Sequence, residues 1–147
     1  MVSFEGTCLT VKPDNKGPQI GHGHDLTPAE IASGVIQIGD QYIPFEEGIT
    51  LAEADEILQA DLAQNYEPAV NRQLAAQDVA ATQNQFDALV DFCYNLGPAR
   101  LATMLHHGFS VAPAHIPAWC YEEVDGVEVR SDKLEARRMA EVALFNS

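Results

Sequence analysis

The chain has 147 residues, 46% of them hydrophobic, and a formal net charge of −14. This is the length of one domain with enough apolar material for a core; the charge argues against nucleic acid, whose phosphates need clustered Lys and Arg, and against an anionic membrane surface. No stretch approaches the ~18 consecutive apolar residues of a membrane span, and the first five residues hold no basic segment leading into an apolar run, so neither a membrane segment nor a secretory signal is expected.

Residues 7–25 read as a short β-region. Thr7, Leu9 and Val11 alternate with Cys8 and Thr10, and Pro13-Asp14-Asn15-Lys16-Gly17 is turn sequence. Gly21 and Gly23 suit close backbone approach or positive φ. Thr27-Pro28-Ala29-Glu30 starts a short helix, with Thr27 as cap, Pro28 in the first turn and Gly34 at the end. Residues 35–48 read as loop with extended pieces. Thr50-Leu51-Ala52-Glu53 is a second capping box, opening a helix to about Tyr66 with Leu51, Ala54, Leu58 and Leu62 on one face.

Pro68 reads as a kink or boundary. Thr82 starts a third helix, striped with Phe86, Leu89, Val90 and Cys93 and ended by Asn95-Leu96-Gly97-Pro98. Short helices are expected over 99–107, closed by Gly108, and over 113–121, containing Trp119 as a core residue. Asp125-Gly126 marks a tight turn between two short extended runs. Asp132-x-x-Glu135 opens a last helix to about Phe145. The order, a small β-rich front followed by helices, predicts an α+β chain. The three cysteines, Cys8, Cys93 and Cys120, show no CxxC spacing and read as buried, reduced thiols.

Two carboxylates stand out. Glu5 lies in Phe4-Glu5-Gly6, and Asp14 follows nine positions later inside the turn. Glycosidic cleavage needs such a pair: one protonated carboxyl to give its proton to the leaving oxygen, and one carboxylate to activate water or steady the cationic sugar. Spacing alone does not establish the pair, because an acidic chain offers many. His22, His24 and Asp25 also invite a metal reading, with His106, His107 or His115 as distant further ligands; a structural ion pair between His24 and an acidic residue is the simpler expectation. Arg138 and Glu141, three apart, read as a structural pair.

Several segments together resemble the phage-type lysozymes, the muramidases of glycoside hydrolase family 24. Phe4-Glu5-Gly6 is similar to the family's catalytic-acid motif, and Pro13-Asp14 to its second carboxylate. Ile20-Gly21-His22-Gly23-His24 resembles its Ile-Gly-Tyr-Gly-His turn. Gly48-Ile49-Thr50 with Ala52-Glu53-Ala54, Asn84-Gln85-Phe86-Asp87-Ala88-Leu89-Val90 with Phe92-Cys93-Tyr94-Asn95-Leu96-Gly97, and Leu134 with Arg137-Arg138-Met139-Ala140-Glu141 resemble the linking, core and C-terminal helices. The matches follow the family's order over nearly the whole chain.

The resemblance implies a single lysozyme-like domain over 1–147. Residues of about 7–48 would form a β-rich lobe, about 50–66 a connecting helix and 67–147 a helical lobe, with a cleft between the lobes. It implies cleavage of the β-1,4 bond between N-acetylmuramic acid and N-acetylglucosamine in peptidoglycan. Glu5 is then the general acid and Asp14 the base or electrostatic partner, with no metal or organic cofactor. Gln19 stands where the family has a water-holding Thr, and the turn before it is one residue shorter. Gln19 has a donor and an acceptor for the same water, yet it is larger and can displace it, so the inverting course is open. Asn95, otherwise part of a helix cap with Gly97, and Arg100, otherwise the partner of a surface carboxylate, are the candidate substrate contacts. A monomer is expected, acting on the cell wall after phage release or as a piece of a larger exported protein. Two alternatives stand beside this: a hydrolase of cationic glucosamine polymers, which the acidic surface favours, and a wall-glycan-binding module of weak activity.

Overall fold

A computed structural model describes residues 7–13 and 17–147. These fall into two compact units, divided between Gln64 and Asn65. Among the described residues no helix is long and apolar enough to cross a membrane.

The first unit is built on two small antiparallel sheets. β1 (Cys8–Lys12), β2 (Gln19–Gly21) and β3 (His24–Asp25) pair in that order, with Gln19 opposite Asp25 and Ile20 opposite His24. β4 (Val35–Ile38) and β5 (Gln41–Pro44) form a hairpin, so the segment expected as loop with extended pieces is a regular strand pair. Between the sheets, α1 (Pro28–Ser33) has the full capping box: the Thr27 hydroxyl accepts from the Glu30 N–H, and Glu30 reaches back to the Thr27 N–H at 2.8 Å. α2 (Leu51–Asp61) starts with the same box from Thr50 and Glu53. Ile20, Leu26, Ile36, Ile43, Phe45, Ile49, Ala54 and Ile57 form the core here. Leu51, expected on the buried face of α2, is 57% exposed, and Ile57 takes the buried role. Leu51 is the first helical residue, where the face that packs on β2 has not yet begun.

α2 runs through a π-helical turn, Leu62–Tyr66, into α3 (Glu67–Ala76). Pro68 sits in the first turn of α3, where its missing N–H costs no hydrogen bond. A residue read as a boundary therefore starts a helix that the sequence reading left unassigned. α4 (Gln83–Leu96) buries Ala88 to Cys93 and ends at Gly97, whose φ is +95°. α5 (Pro98–Leu105) follows at once. The helix expected over 113–121 is shorter: α6 (Ala112–His115) passes into a 3-10 turn at Ile116–Ala118, and Trp119 lies beyond it. β6 (Tyr121–Val124) and β7 (Val127–Arg130) form a hairpin about Asp125-Gly126, both at positive φ, the requirement of a tight two-residue turn. α7 (Asp132–Phe145) is capped by Ser131, one residue before the expected Asp132. α4 and α7 make the most extensive helix pairing of this unit. Cys93 and Cys120 are buried, Cys8 is half-buried, and all three are free thiols.

Candidate active site

Glu5 and Asp14, the two expected acid–base carboxylates, lie outside the described residues. The strand and turn that follow them are described, and they hold three of the singled-out side chains.

Gln19 is half-buried on β2, and its Nε2 donates to Asp25 Oδ1 at 2.7 Å across the β2–β3 pair. One end of the amide is thereby fixed, and its carbonyl oxygen is the acceptor left to address a water. Ile20 beside it is fully buried, which anchors the strand. Gly21 then turns the chain at φ +70°, and a Cβ placed there would sit 3.6 Å from that of Ala54 on α2. A residue with a side chain would be strained in this backbone conformation. This close approach brings both histidines of the turn onto α2.

His22 is 8% exposed. Its Nε2 donates to Asp55 Oδ1 at 2.6 Å, and its Nδ1 meets the Thr7 hydroxyl at 2.9 Å. His24 is bound at both nitrogens, Nδ1 to Asp61 Oδ2 at 2.8 Å and Nε2 to Glu30 Oε1 at 3.0 Å. Burial lowers the pKa of this imidazole, but the hydrogen bonds and charges of Asp61 and Glu30 outweigh it and push it up to about 9. His24 is therefore an imidazolium at neutral pH, with both N–H groups donating. The two histidines engage different carboxylates. Among the described residues no three His, Cys, Asp or Glu side chains converge as a metal site would need.

The other expected residues lie in the second unit. Asn95 is half-buried in the last turn of α4, and the Gly97 N–H closes that helix on Cys93 O at 2.7 Å. Arg100, exposed on α5, lines a cavity of about 380 Å³ together with Trp119. Trp119 is half-buried rather than core: one edge packs at 86° on the Phe92 ring, 5.9 Å away, and the rest faces the cavity. His107, His115, Tyr121 and Glu128 complete the polar and aromatic lining. The sequence reading took these histidines only as remote metal ligands. No local signal joins them, because α5, α6 and the β6–β7 hairpin meet only in the folded unit.

Arg138 is fully buried and paired with Glu141: its Nη2 donates to Oε2 at 2.8 Å, and its Nε lies in ionic contact with Oε1 at 2.7 Å. Beside it, Arg137 binds both oxygens of Asp91 on α4, at 3.0 and 3.1 Å. Burial, and after it Asp91, push the Glu141 carboxyl above its ordinary value, while Arg138 pulls the other way. Two guanidinium groups thus lie beside two carboxyl groups in the buried pairing of α4 and α7.

Comparison with known proteins places these parts in context. The phage lysozyme family model matches residues 2–141. The chain is 34% identical to an endolysin of Bacillus phage PZA over 99% of its own length, and it spans about half (51%) of that relative. It is 34% identical to an endolysin of Acyrthosiphon pisum secondary endosymbiont phage 1, covering 86% of this chain and 77% of the relative. Among solved structures, an endolysin from Escherichia coli O157:H7 phage FAHEc1 superposes with a TM-score of 0.71 at 31% identity, over 97% of this chain and 85% of the other. The muramidase domain of SpmX from Asticaccaulis excentricus gives 0.75 at 28% identity, over 99% and 90%.

Proposed function

Because the chain belongs to the phage lysozyme family, we propose that it is a muramidase, hydrolysing the β-1,4 bond between N-acetylmuramic acid and N-acetylglucosamine in peptidoglycan. The observation that carries this reading is the extent of the family match. It runs from residue 2 to residue 141 and so includes Glu5 and Asp14 with the helices that follow them. In the proposed reaction Glu5 is protonated and gives its proton to the leaving oxygen. Asp14 is ionised and either takes a proton from the attacking water or steadies the oxocarbenium-like state. Gln19, held at one end by Asp25, presents its carbonyl to that water. His24 fixes the turn behind Gln19. Asn95 and Arg100 contact the glycan or its substituents. We further propose that the chain works as a monomer, as one lysozyme-like domain made of the two units.

The test is clearing of a peptidoglycan suspension, with reducing ends measured in the products. Glu5→Gln should lower the rate by ~10²–10⁴-fold, the usual worth of a general acid, with the thermal melt unchanged. Wild-type turnover in that variant removes Glu5 from the mechanism. Gln19→Ala should lower it less, by roughly 10–100-fold, through loss of water placement. The anomer first formed reports whether water still attacks from the opposite face. A wild type that binds wall glycan without releasing reducing ends, or that cuts only chitosan, would sink the assignment.

A further inference from the structure

His22 stands between two glycines at positive φ, Gly21 at +70° and Gly23 at +98°. This turn sets its ring between two elements of the first unit. On one side is α2: Gly21 approaches Ala54, and the next residue of that helix, Asp55, meets Nε2 at 2.6 Å. On the other is the start of β1. The ladder pairs Cys8 with Gly21, so Thr7 comes opposite His22, and its hydroxyl meets Nδ1 at 2.9 Å. A carboxylate only accepts, so Nε2 carries a proton. Nδ1 then accepts from the Thr7 hydroxyl in the neutral ring and donates to it in the imidazolium, so the link is complete in both forms. The family's Ile-Gly-Tyr-Gly-His turn has Tyr at this place. A phenol carries one polar atom at the tip of its ring, whereas an imidazole has two nitrogens whose hydrogen bonds point apart. The imidazole can therefore join two separate partners, as Thr7 and Asp55 require. The ends of the link are in water: the Asp55 side chain is 63% exposed, and Thr7 is exposed. Pairs with exposed ends add little to folding stability. What this link supplies is position.

We propose that His22 is a positioning residue for the proton donor, tying the entry of β1 to α2 through Thr7 and Asp55. This rests on the muramidase reading, in which Glu5 is the acid. Glu5 precedes Thr7 by two residues, a length of chain that spans at most ~7 Å. A misplacement of ~1 Å at a reacting group can cost ~10²-fold in rate. An anchor this near the donor therefore controls the rate without touching substrate.

The test is steady-state clearing of peptidoglycan, with reducing ends counted, by the wild type and by variants at the two ends of the link. Thr7→Val keeps the shape of Thr and removes the hydroxyl; Thr7→Ser keeps the hydroxyl; Asp55→Ala removes the carboxylate. Thr7→Val and Asp55→Ala should each lower kcat by about tenfold and leave KM within about twofold, the pattern of a lost transition-state arrangement. Their thermal melts should match the wild type, and Thr7→Ser should keep the wild-type rate. Because both hydrogen bonds belong to one link, Thr7→Val combined with Asp55→Ala should be no slower than the slower single variant. A purely structural role would lower the melts along with the rates, and two independent contacts would multiply their losses; either result overturns the proposal. So does a wild-type kcat in Thr7→Val, a loss confined to KM, or a Thr7→Ser as slow as Thr7→Val. Both ends lie on the surface, so these variants stay informative even where a substitution of the buried ring does not fold. An inactive wild type sinks the muramidase reading and this inference with it, while an active wild type indifferent to Thr7 and Asp55 sinks the inference alone.

Discussion

His24 concentrates more structure on one side chain than any other described residue of the first unit. It ties the Gly21–Gly23 turn to α2 through Asp61 and to α1 through Glu30, and Glu30 also serves the helix cap. Its pKa, raised from 6.5 to about 9, makes the contribution depend on pH. The folded state holds the proton more tightly than the unfolded chain. The stabilisation is therefore complete below pH 6.5, declines as pH rises, and is gone above about 9. A shift of this size corresponds to about 3 kcal/mol. Urea unfolding of the wild type should lose roughly this much between pH 6 and pH 10, and His24→Asn should lose much less. An equal decline in the variant would show that other groups cause it. The ion-pair role of His24 was legible from its place in a glycine turn of an acidic chain. The identities of its partners were not, because they lie 6 and 37 residues away and meet only through packing.

At the scale of elements, capping signals and apolar stripes marked α1, α4, α7 and the start of α2 in the sequence to within a residue or two, while α2 passes into the π-helical turn at Leu62, short of the expected Tyr66. Local hydrogen bonding decides those ends, and local sequence records it. The failures have physical causes. α3 was missed because a proline in its first turn looks the same as a proline that stops a helix. The 113–121 helix was overrun because Trp119 leaves the helical path to pack against Phe92, a tertiary preference. The Arg138–Glu141 pair was legible from its three-residue spacing on one helix; the Arg137–Asp91 pair was not, because its members lie 46 residues apart, on α7 and α4. Arg137 with Asp91, and Arg138 with Glu141, are buried, and the Arg138 guanidinium also lies 5.1 Å from the centre of the Phe92 ring. Removing one member strands a buried charge, at a cost of ~3–5 kcal/mol. Arg138→Met should lower stability by about that much, and Arg138→Met with Glu141→Leu should recover a large part of it. A double variant no better than the single would mean that the pair contributes shape or cation–π contact rather than charge balance; calorimetric melts of the three proteins decide it.

At the scale of the whole molecule the net charge of −14 acts on the encounter with substrate. At low ionic strength the field of the chain extends far: the screening length is ~30 Å at 0.01 M salt and ~8 Å at 0.15 M. Peptidoglycan with free stem carboxylates is itself anionic, so the encounter is repulsive and screening should help it. A glucosamine polymer is cationic, so the encounter is attractive and screening should hinder it. Charge steering commonly changes association rates by ~10–10³-fold, so the direction is measurable even where its size is not predictable. Initial rates at sub-saturating peptidoglycan should therefore rise between 0.01 M and 0.15 M salt, while the rate at saturation stays level, because salt acts on encounter and leaves the acid step proposed for Glu5 alone. A rate that falls with salt on peptidoglycan, in parallel with a fall on chitosan, would mean that attraction to cationic groups governs capture, and the acidic surface would then have to be read as the substrate-binding face.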